Sequence, residues 1–553
     1  MPEACYGLYG LQLRDEEVER YTVWVADIAH AYPAQSPLLA YLRDTGVTDG
    51  CGYGAENLFC PETKGLEWRL VDGMAYVTVR EPRPEEVSER EKVFREKITP
   101  YIENWDEMWN GVIADWSARV KPLQEFDVEH ATNGELLKHF YEFLSFWYEN
   151  WFKHFEWMYA ADILFGQFRT TLQELAGITP ADPLFKKVLG GFDNMMVKFN
   201  RELWGLADRA RELGVDGIFL TTDNDEKVLP KLEESEAGRK WLEEYRSWLK
   251  VRGWRCNRAE EFIDNPSWIE KPSLGVPLIK QALAKGGAFA VDFARLVTER
   301  GEAERELLVK VPEDKRGWFA KLMRCGQKAG VFSEDHNYYF DCWNMSMGRH
   351  LFQEYGKRFV QAGVIDQVDD IYMLMPWEIR KASIALERVN LRPYAKARRE
   401  EWEKVVKLGS WEFKPFYGDI GKLGEVARKD PLMSIVAELP VVRPELEADL
   451  YGAASAPGVA EGIARIIADE SHFRELEPGE ILVCAATMPN WTPLFNVAAG
   501  VVTDGGGNLS HAVIVGREYG LPVVAGTLEA TKRINTGNKV RVDGTNGAVY
   551  ILG

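Results

Sequence analysis

Cysteine is scarce and scattered. Its seven residues, Cys5, Cys51, Cys60, Cys256, Cys325, Cys342 and Cys484, form no Cys-x-x-Cys pair, which argues against a disulfide framework and a thiolate zinc site and points to a reducing cytoplasm. No basic segment followed by an apolar run opens the chain, and no apolar stretch reaches the roughly eighteen residues that span a bilayer, so the expectation is a cytoplasmic protein, neither exported nor membrane-embedded. Positive charge is also short: 67 Lys and Arg against 86 Asp and Glu leave a formal charge of −19. Such a surface repels phosphate backbones and excludes nucleic acid as the expected partner. The G-x-x-x-x-G-K-[ST] phosphate loop is missing too, and so is any internal repeat or low-complexity tract.

What is present fits a soluble enzyme. At 553 residues the chain is too long for one core and predicts two or three domains. Nineteen Trp, 26 Phe and 21 Tyr supply large buried surfaces and the makings of an aromatic-lined pocket. From Pro84 to Lys407 helical periodicity dominates: Leu203, Leu206, Ala207, Ala210 and Leu213 recur at steps of three and four. Similar patterns span Glu135–Phe165, Ala288–Lys310, His336–Ala362 and Pro376–Leu391. Residues 1–80, with Gly-rich turns and a strand-like ending at Trp68–Val79, read as a small β-containing region packed on a helical body over 81–440. A Pro-, Ala- and Gly-containing stretch, 441–456, reads as a linker. Beyond it, over 457–553, short apolar runs at Ile463–Ile467, Ile481–Cys484, Gly500–Thr503, Val523–Ala525, Val540–Val542 and Val549–Leu552 alternate with turn residues and predict a compact α/β domain. The fold class is therefore multidomain, a large mainly α-helical body plus a C-terminal α/β domain.

The segment that carries chemistry is Thr503-Asp504-Gly505-Gly506-Gly507-Asn508-Leu509-Ser510-His511-Ala512-Val513. A strand ends, three glycines turn the chain, and a helix begins with Ser510 as N-cap and His511 in its first turn. Glycines let backbone N–H groups approach an anion, and a helix N-terminus offers unpaired donors with partial positive charge. The same positive end favours neutral imidazole, a nucleophile that can accept a phosphoryl group and pass it on. Thr503, Gly505, Gly506, Gly507 and Ser510 are the candidate phosphate-binding residues around it.

Carried on Ser455-Ala456-Pro457-Gly458, Gly479-Glu480-Ile481-Leu482-Val483, Pro489-Asn490-Trp491-Thr492-Pro493, the His511 segment, Gly520-Leu521-Pro522 and Val542-Asp543-Gly544-Thr545-Asn546-Gly547, a resemblance covers the last hundred residues. They resemble the mobile phosphohistidine (swivel) domain of the phosphoenolpyruvate-utilising enzymes. Val513 and Gly516 depart from it, standing where that family usually has Ala. The resemblance implies that His511 is the phosphoryl carrier. It also implies a donor site, in many members an ATP-grasp domain, of which the sequence carries no sign. MgATP is therefore expected on a separate ATP-grasp subunit, with no tightly bound cofactor and no dedicated metal site on this chain. No α/β barrel follows the swivel domain before Gly553, so pyruvate is not the expected acceptor.

The order helical body, linker, swivel domain resembles rifampin phosphotransferases and the histidine-bearing subunits of phenylphosphate synthases. Trp68–Val77, Glu334-Asp335-His336-Asn337-Tyr338-Tyr339 and Asp369-Asp370-Ile371-Tyr372, followed by Glu378, are similar to the substrate domain of the former. The missing ATP module favours the latter, and with it a small hydroxylated aromatic acceptor, ATP ending as AMP and phosphate. Glu334 and His336, two apart at the start of an expected helix, are the candidates to take the acceptor's proton. His154 and Trp151, on one face of the 135–165 helix with Trp147 and Met158, are the next candidates for the acceptor's surroundings, although core packing is the more ordinary explanation of that stripe. Asp369 and Asp370 read as a helix N-terminus rather than a cation site. The competing readings are a phosphocarrier or regulatory protein, or an antibiotic-modifying component.

Overall fold

A computed structural model of the chain describes residues 12–179, 182–256, 262–263, 265–285, 293–409, 412–433, 444–468, 470–487, 489–507 and 510–553. The body is mainly helical and the C-terminal part strand-rich. Among the described residues no helix is long and apolar enough to cross a membrane, and the six described cysteines are buried.

The body is organised by two helices packed unusually close, α1 (Pro37–Asn57) and α2 (Asn133–Ala176). α1 presents Gly46, Gly50 and Gly54 at steps of four, one ridge of a helix. A Cβ on Gly46 would lie 2.3 Å from Trp151 Cδ1, one on Gly50 2.6 Å from the Trp151 carbonyl oxygen, and one on Gly54 2.7 Å from the Phe155 carbonyl carbon. The glycines thus admit the backbone of α2 and seat Trp151 and Phe155. Gly50→Ala, which must push backbone rather than a flexible side-chain end, is expected to destabilise the body by about 3 kcal/mol. A lowered urea midpoint followed by tryptophan emission checks this.

α2 starts with a reciprocal cap. The Glu135 N–H donates to Thr132 Oγ1 at 3.3 Å while the Thr132 N–H donates to the Glu135 carboxylate at 2.8 Å. It runs past the expected end at Phe165, because Phe168 and Leu172 continue the buried stripe, and stops where Gly177 takes φ 68°. The expected helix His336–Ala362 is instead a junction: α4 (Arg316–His336, with α3 being Met195–Glu212) passes through a π-turn, Asn337–Cys342, into α5 (Trp343–Gln361). Glu334 and His336 therefore end a helix rather than begin one. Asp370 caps its short helix, accepting from the Gln367 N–H at 3.2 Å and pairing with Arg399 at 2.8 Å.

β1 (Val23–Ala26), β2 (Leu66–Val71), β3 (Met74–Val79) and β4 (Phe416–Gly418) form an antiparallel sheet in the order β2-β3-β1-β4. The single strand expected at Trp68–Val79 is a hairpin, because Asp72 (φ 50°) and Gly73 (φ 77°) make a two-residue turn. β4 comes from beyond the helices, so residues 1–80 do not build this sheet alone.

The C-terminal sheet contains β5 (Leu450–Tyr451), β6 (Ala453–Ala456), β7 (Val459–Ile466), β8 (Ile481–Cys484), β9 (Gly500–Thr503), β10 (Val523–Ala525), β11 (Lys539–Asp543) and β12 (Ala548–Ile551). Their order is β5-β12-β11-β7-β8-β9-β10-β6, with β7 to β10 parallel. β8, β9 and β10 are apolar on both faces because both are covered. Leu482, Val501 and Val523 pack under α6 (His511–Tyr519), while Val483, Val502 and Val524 pack on the opposite side. Gly516 is required by this packing, since a Cβ there would fall 2.3 Å from Val523 Cγ2. β5 and β6 lie inside the stretch expected to be a linker, where Gly452 N–H donates to the Gly547 carbonyl and β6 pairs with β10. The chain from 450 onward is thus already part of this sheet, and residues 441–443 lie outside the described residues.

Candidate active site

His511 sits at the carboxyl edge of the parallel strands, where loops from neighbouring strands converge. β9 ends at Thr503; Gly506 takes φ 101°, and α6 begins at His511. The loop is largely bonded to itself. Thr503 Oγ1 donates to the Gly505 carbonyl at 2.7 Å, and the Gly505 N–H donates to the Ala485 carbonyl at 2.8 Å. Thr503 and Gly505 therefore hold the loop's shape, with those groups already engaged. Ser510 occupies the N-cap, but its side chain makes no capping bond and its buried Oγ has no partner among the described residues. Asn508 and Leu509 lie outside the described residues.

Both ring nitrogens of His511 meet hydroxyls. Thr487 Oγ1, from the loop after β8, lies 2.8 Å from Nδ1, and Thr492 Oγ1 lies 3.1 Å from Nε2. A hydroxyl can donate or accept, so the two threonines clamp the neutral ring in either tautomer. Phe495 meets it edge-on at 5.8 Å. Burial, and after it the positive charge of Arg255 in the body, lowers the His511 pKa to about 3. The ring is thus neutral at physiological pH.

The C-terminal domain is docked on the body through α6. The Gly191 N–H donates to the Glu518 carboxylate at 3.1 Å, and Asn200 Nδ2 donates to Tyr519 OH at 3.3 Å. A small cavity there is lined by Phe165, Leu189, Val331, Ile514, Arg517 and Glu518. Glu334 lies at this interface: burial, reinforced by Asp335 and Glu518 and opposed by Arg517, raises it to about 8.

His336 faces elsewhere. Its Nδ1 donates to the Phe332 carbonyl at 2.9 Å, its ring lies 4.7 Å from that of His154, and Nε2 lies 3.9 Å from Asp341 Oδ2. Two residues apart on α4, Glu334 and His336 are turned about 200° from each other and do not share surroundings. His154 Nδ1 lies 3.3 Å from Asp341 Oδ1, and Trp151 packs on His154 at 5.2 Å. The structure therefore gathers His336, His154 and Trp151, and leaves Glu334 apart.

Sequence reasoning missed four residues. Thr492 stands inside the quoted Trp491-Thr492-Pro493 motif, so its signal was available. Thr487 had only its place after a strand. Asp341 was hidden by the π-turn: in an α-helix residue i+5 sits about 140° round, whereas i→i+5 closure brings it over residue i. Arg255 lies in a loop with no motif. It is 2% exposed, with Nε and Nη1 unpartnered among the described residues, and it stacks 3.9 Å over Phe199.

Comparison with known proteins gives two family matches. Residues 476–547 match the PEP-utilising enzyme mobile domain, and residues 155–332 match the rifampicin phosphotransferase fourth domain. The chain is 27% identical to an uncharacterized phosphotransferase of Bacillus subtilis over 77% of its own length and 50% of the relative's. It is 26% identical to a rifampicin phosphotransferase of Bacillus cereus over 65% and 40% of the two chains. Over 106 residues it is 47% identical to the phosphoenolpyruvate synthase of Pyrococcus furiosus, covering 19% and 13%. The chain thus spans half or less of the length of these relatives.

Proposed function

We propose that this chain belongs to the phosphoenolpyruvate-utilising enzymes and is a phosphotransferase that relays a phosphoryl group through His511 to the hydroxyl of a small acceptor held in the helical body. The donor side is ATP, bound with magnesium on a separate ATP-grasp subunit. A ring nitrogen of His511 attacks the β-phosphorus as the α–β P–O bond breaks and AMP leaves; water then cleaves the β–γ P–O bond, releasing phosphate and leaving one phosphoryl group on the ring, and the acceptor oxygen, losing its proton, forms a P–O bond as the N–P bond breaks. The preferred acceptor is phenolic, because the surrounding core is dense in Trp and Phe.

One observation carries the acceptor site. Buried polar atoms of Arg43, Asp44, Trp151, His154 and Asp341 have no hydrogen-bond partner among the described residues, and Arg43 lies close enough to Asp341 to act on its charge. Buried polar groups are ordinarily paired, so orphans gathered in one place favour a polar ligand there. His336, whose ring lies 4.7 Å from that of His154, adjoins this group and is the residue we assign to activation of the acceptor hydroxyl. Glu334 is assigned to the docking surface instead.

Separate measurement of the two half-reactions tests this. With the ATP-grasp subunit and MgATP, His336→Ala is expected to charge His511 normally and to discharge it to a phenol about a hundred-fold more slowly. A purely structural role would lower both in proportion to the folded fraction. Unchanged discharge on folded variant protein would place the acceptor elsewhere.

A further inference from the structure

We propose that His154, His336 and Asp341 form a binding site for one divalent transition-metal cation of the zinc, iron or manganese type. Their ligand atoms, one from each residue, lie within 4.8 Å of one another. The measured separations, 3.3 Å from His154 Nδ1 to Asp341 Oδ1 and 3.9 Å from His336 Nε2 to Asp341 Oδ2, suit donors spread around a shared ion at about 2.0–2.2 Å.

The hydrogen bonds around the cluster leave these atoms facing inward. A carbonyl can only accept, so the 2.9 Å contact with Phe332 fixes the hydrogen of His336 on Nδ1 and leaves the Nε2 lone pair pointing toward a carboxylate. That orientation, with the outer nitrogen held by a backbone carbonyl, is the one metal-bound histidines adopt. His154 is 6% exposed, and its Nδ1 and Asp341 Oδ1 have no hydrogen-bond partner among the described residues. Asn337 Nδ2 donates to Asp341 Oδ2 at 3.3 Å and steadies the carboxylate from behind. The Nε2 lone pair of His336 and the Asp341 carboxylate can only accept, so their approach favours a cation between them.

The bland alternative is an imidazolium–carboxylate network. The contacts of the two histidines with Asp341, 3.3 and 3.9 Å, are long for ordinary hydrogen bonds, and the rings are enclosed by Phe155 at 4.6 Å and Phe332 at 5.1 Å. Arg43 also faces Asp341, and Asp44 and Asp27 face Arg43 in turn, with Arg69 acting on Asp44 and His30 on Asp27. Two imidazoles and one carboxylate select a borderline transition metal over magnesium or calcium, which prefer all-oxygen shells. Three protein ligands leave further positions open, through which the acceptor hydroxyl of the proposed function could bind and lose its proton. That last role rests on the proposed function; the site itself does not.

Metal binding is therefore measured on the full chain without any phosphoryl transfer. Metal-free protein titrated with Co(II) should develop d–d absorption saturating at one equivalent, reversed by Zn(II) and untouched by Mg(II) in large excess. His154→Ala, His336→Ala and Asp341→Asn should each weaken binding about a hundred-fold or more. In the unaltered chain, paramagnetic shifts in the NMR spectrum should fall on the rings of His154 and His336, which locates the ion even where a variant folds poorly. Absence of a stoichiometric Co(II) signal, undiminished binding in folded variants, shifts on other histidines, or displacement by Mg(II) would each overturn the site.

Discussion

His511→Ala is expected to abolish phosphohistidine: supplied with the proposed ATP-grasp subunit and MgATP, the variant should take up no acid-labile, base-stable label, while its circular dichroism stays that of the parent chain. The effect is complete because no neighbour can replace the nucleophile. Thr487 and Thr492 offer only weakly nucleophilic hydroxyls at 2.8 and 3.1 Å from the ring nitrogens. Label persisting in the variant would remove the central assignment. The ring's ionisation gives a companion result. An imidazole in water gains its proton near pH 6.5, whereas burial and Arg255 lower His511 to about 3. The shift is downward, so the neutral form persists as pH falls through the ordinary imidazole range. NMR of the docked chain should show no protonation of His511 between pH 7 and 5, and titration near 6.5 would mean that the ring is solvated.

The C-terminal domain was legible almost strand by strand, because β8, β9 and β10 are covered on both faces and so appear as uninterrupted apolar runs between Gly and Pro. His511 was legible for the same local reason: a strand end, glycines and a helix start are consecutive in sequence. The body was legible as helices but not as a site. α2 reads as an aromatic stripe whether it packs a core or lines a pocket, and nothing in its periodicity distinguishes His154 from Trp147. The partnership of His336 with Asp341 depends on a π-turn, which has no hydrophobic period to betray it. The pairing of Glu334 with His336 followed from their closeness in sequence, which is misleading on a helix, where i and i+2 face apart. The β-sheet of the first eighty residues needed Phe416–Gly418, a strand too short and too distant to be matched to it in advance.

Arg255→Met is expected to slow discharge of phospho-His511 by about a hundred- to a thousand-fold, the cost of removing one preorganised charge from a phosphoryl-transfer site. The guanidinium is buried, its Nε and Nη1 have no partner among the described residues, and Phe199 stacks beneath it. α3, which carries Phe199, also carries Asn200, the residue bonded to Tyr519 on the helix of His511, so Arg255 belongs to the surface on which that helix docks. A buried charge without a counterion is unfavourable, and with unphosphorylated His511 the charge opposes ring protonation instead of finding a partner. A phosphoryl group on His511 reverses the balance, supplying two negative charges and three acceptor oxygens to the orphaned N–H groups. In the proposed relay, docking should therefore be tighter for the charged than for the discharged histidine. Charging, proposed to take place on a separate subunit, should proceed unchanged in the variant. Arg255→Lys, which keeps the charge but loses the planar fork, should recover only part of the rate. A structural role predicts the opposite pattern, with both half-reactions falling alongside stability, whereas removal of an unpaired buried cation should leave stability unchanged or raised. Discharge at the parental rate in Arg255→Met would show that the guanidinium has no part in the transfer.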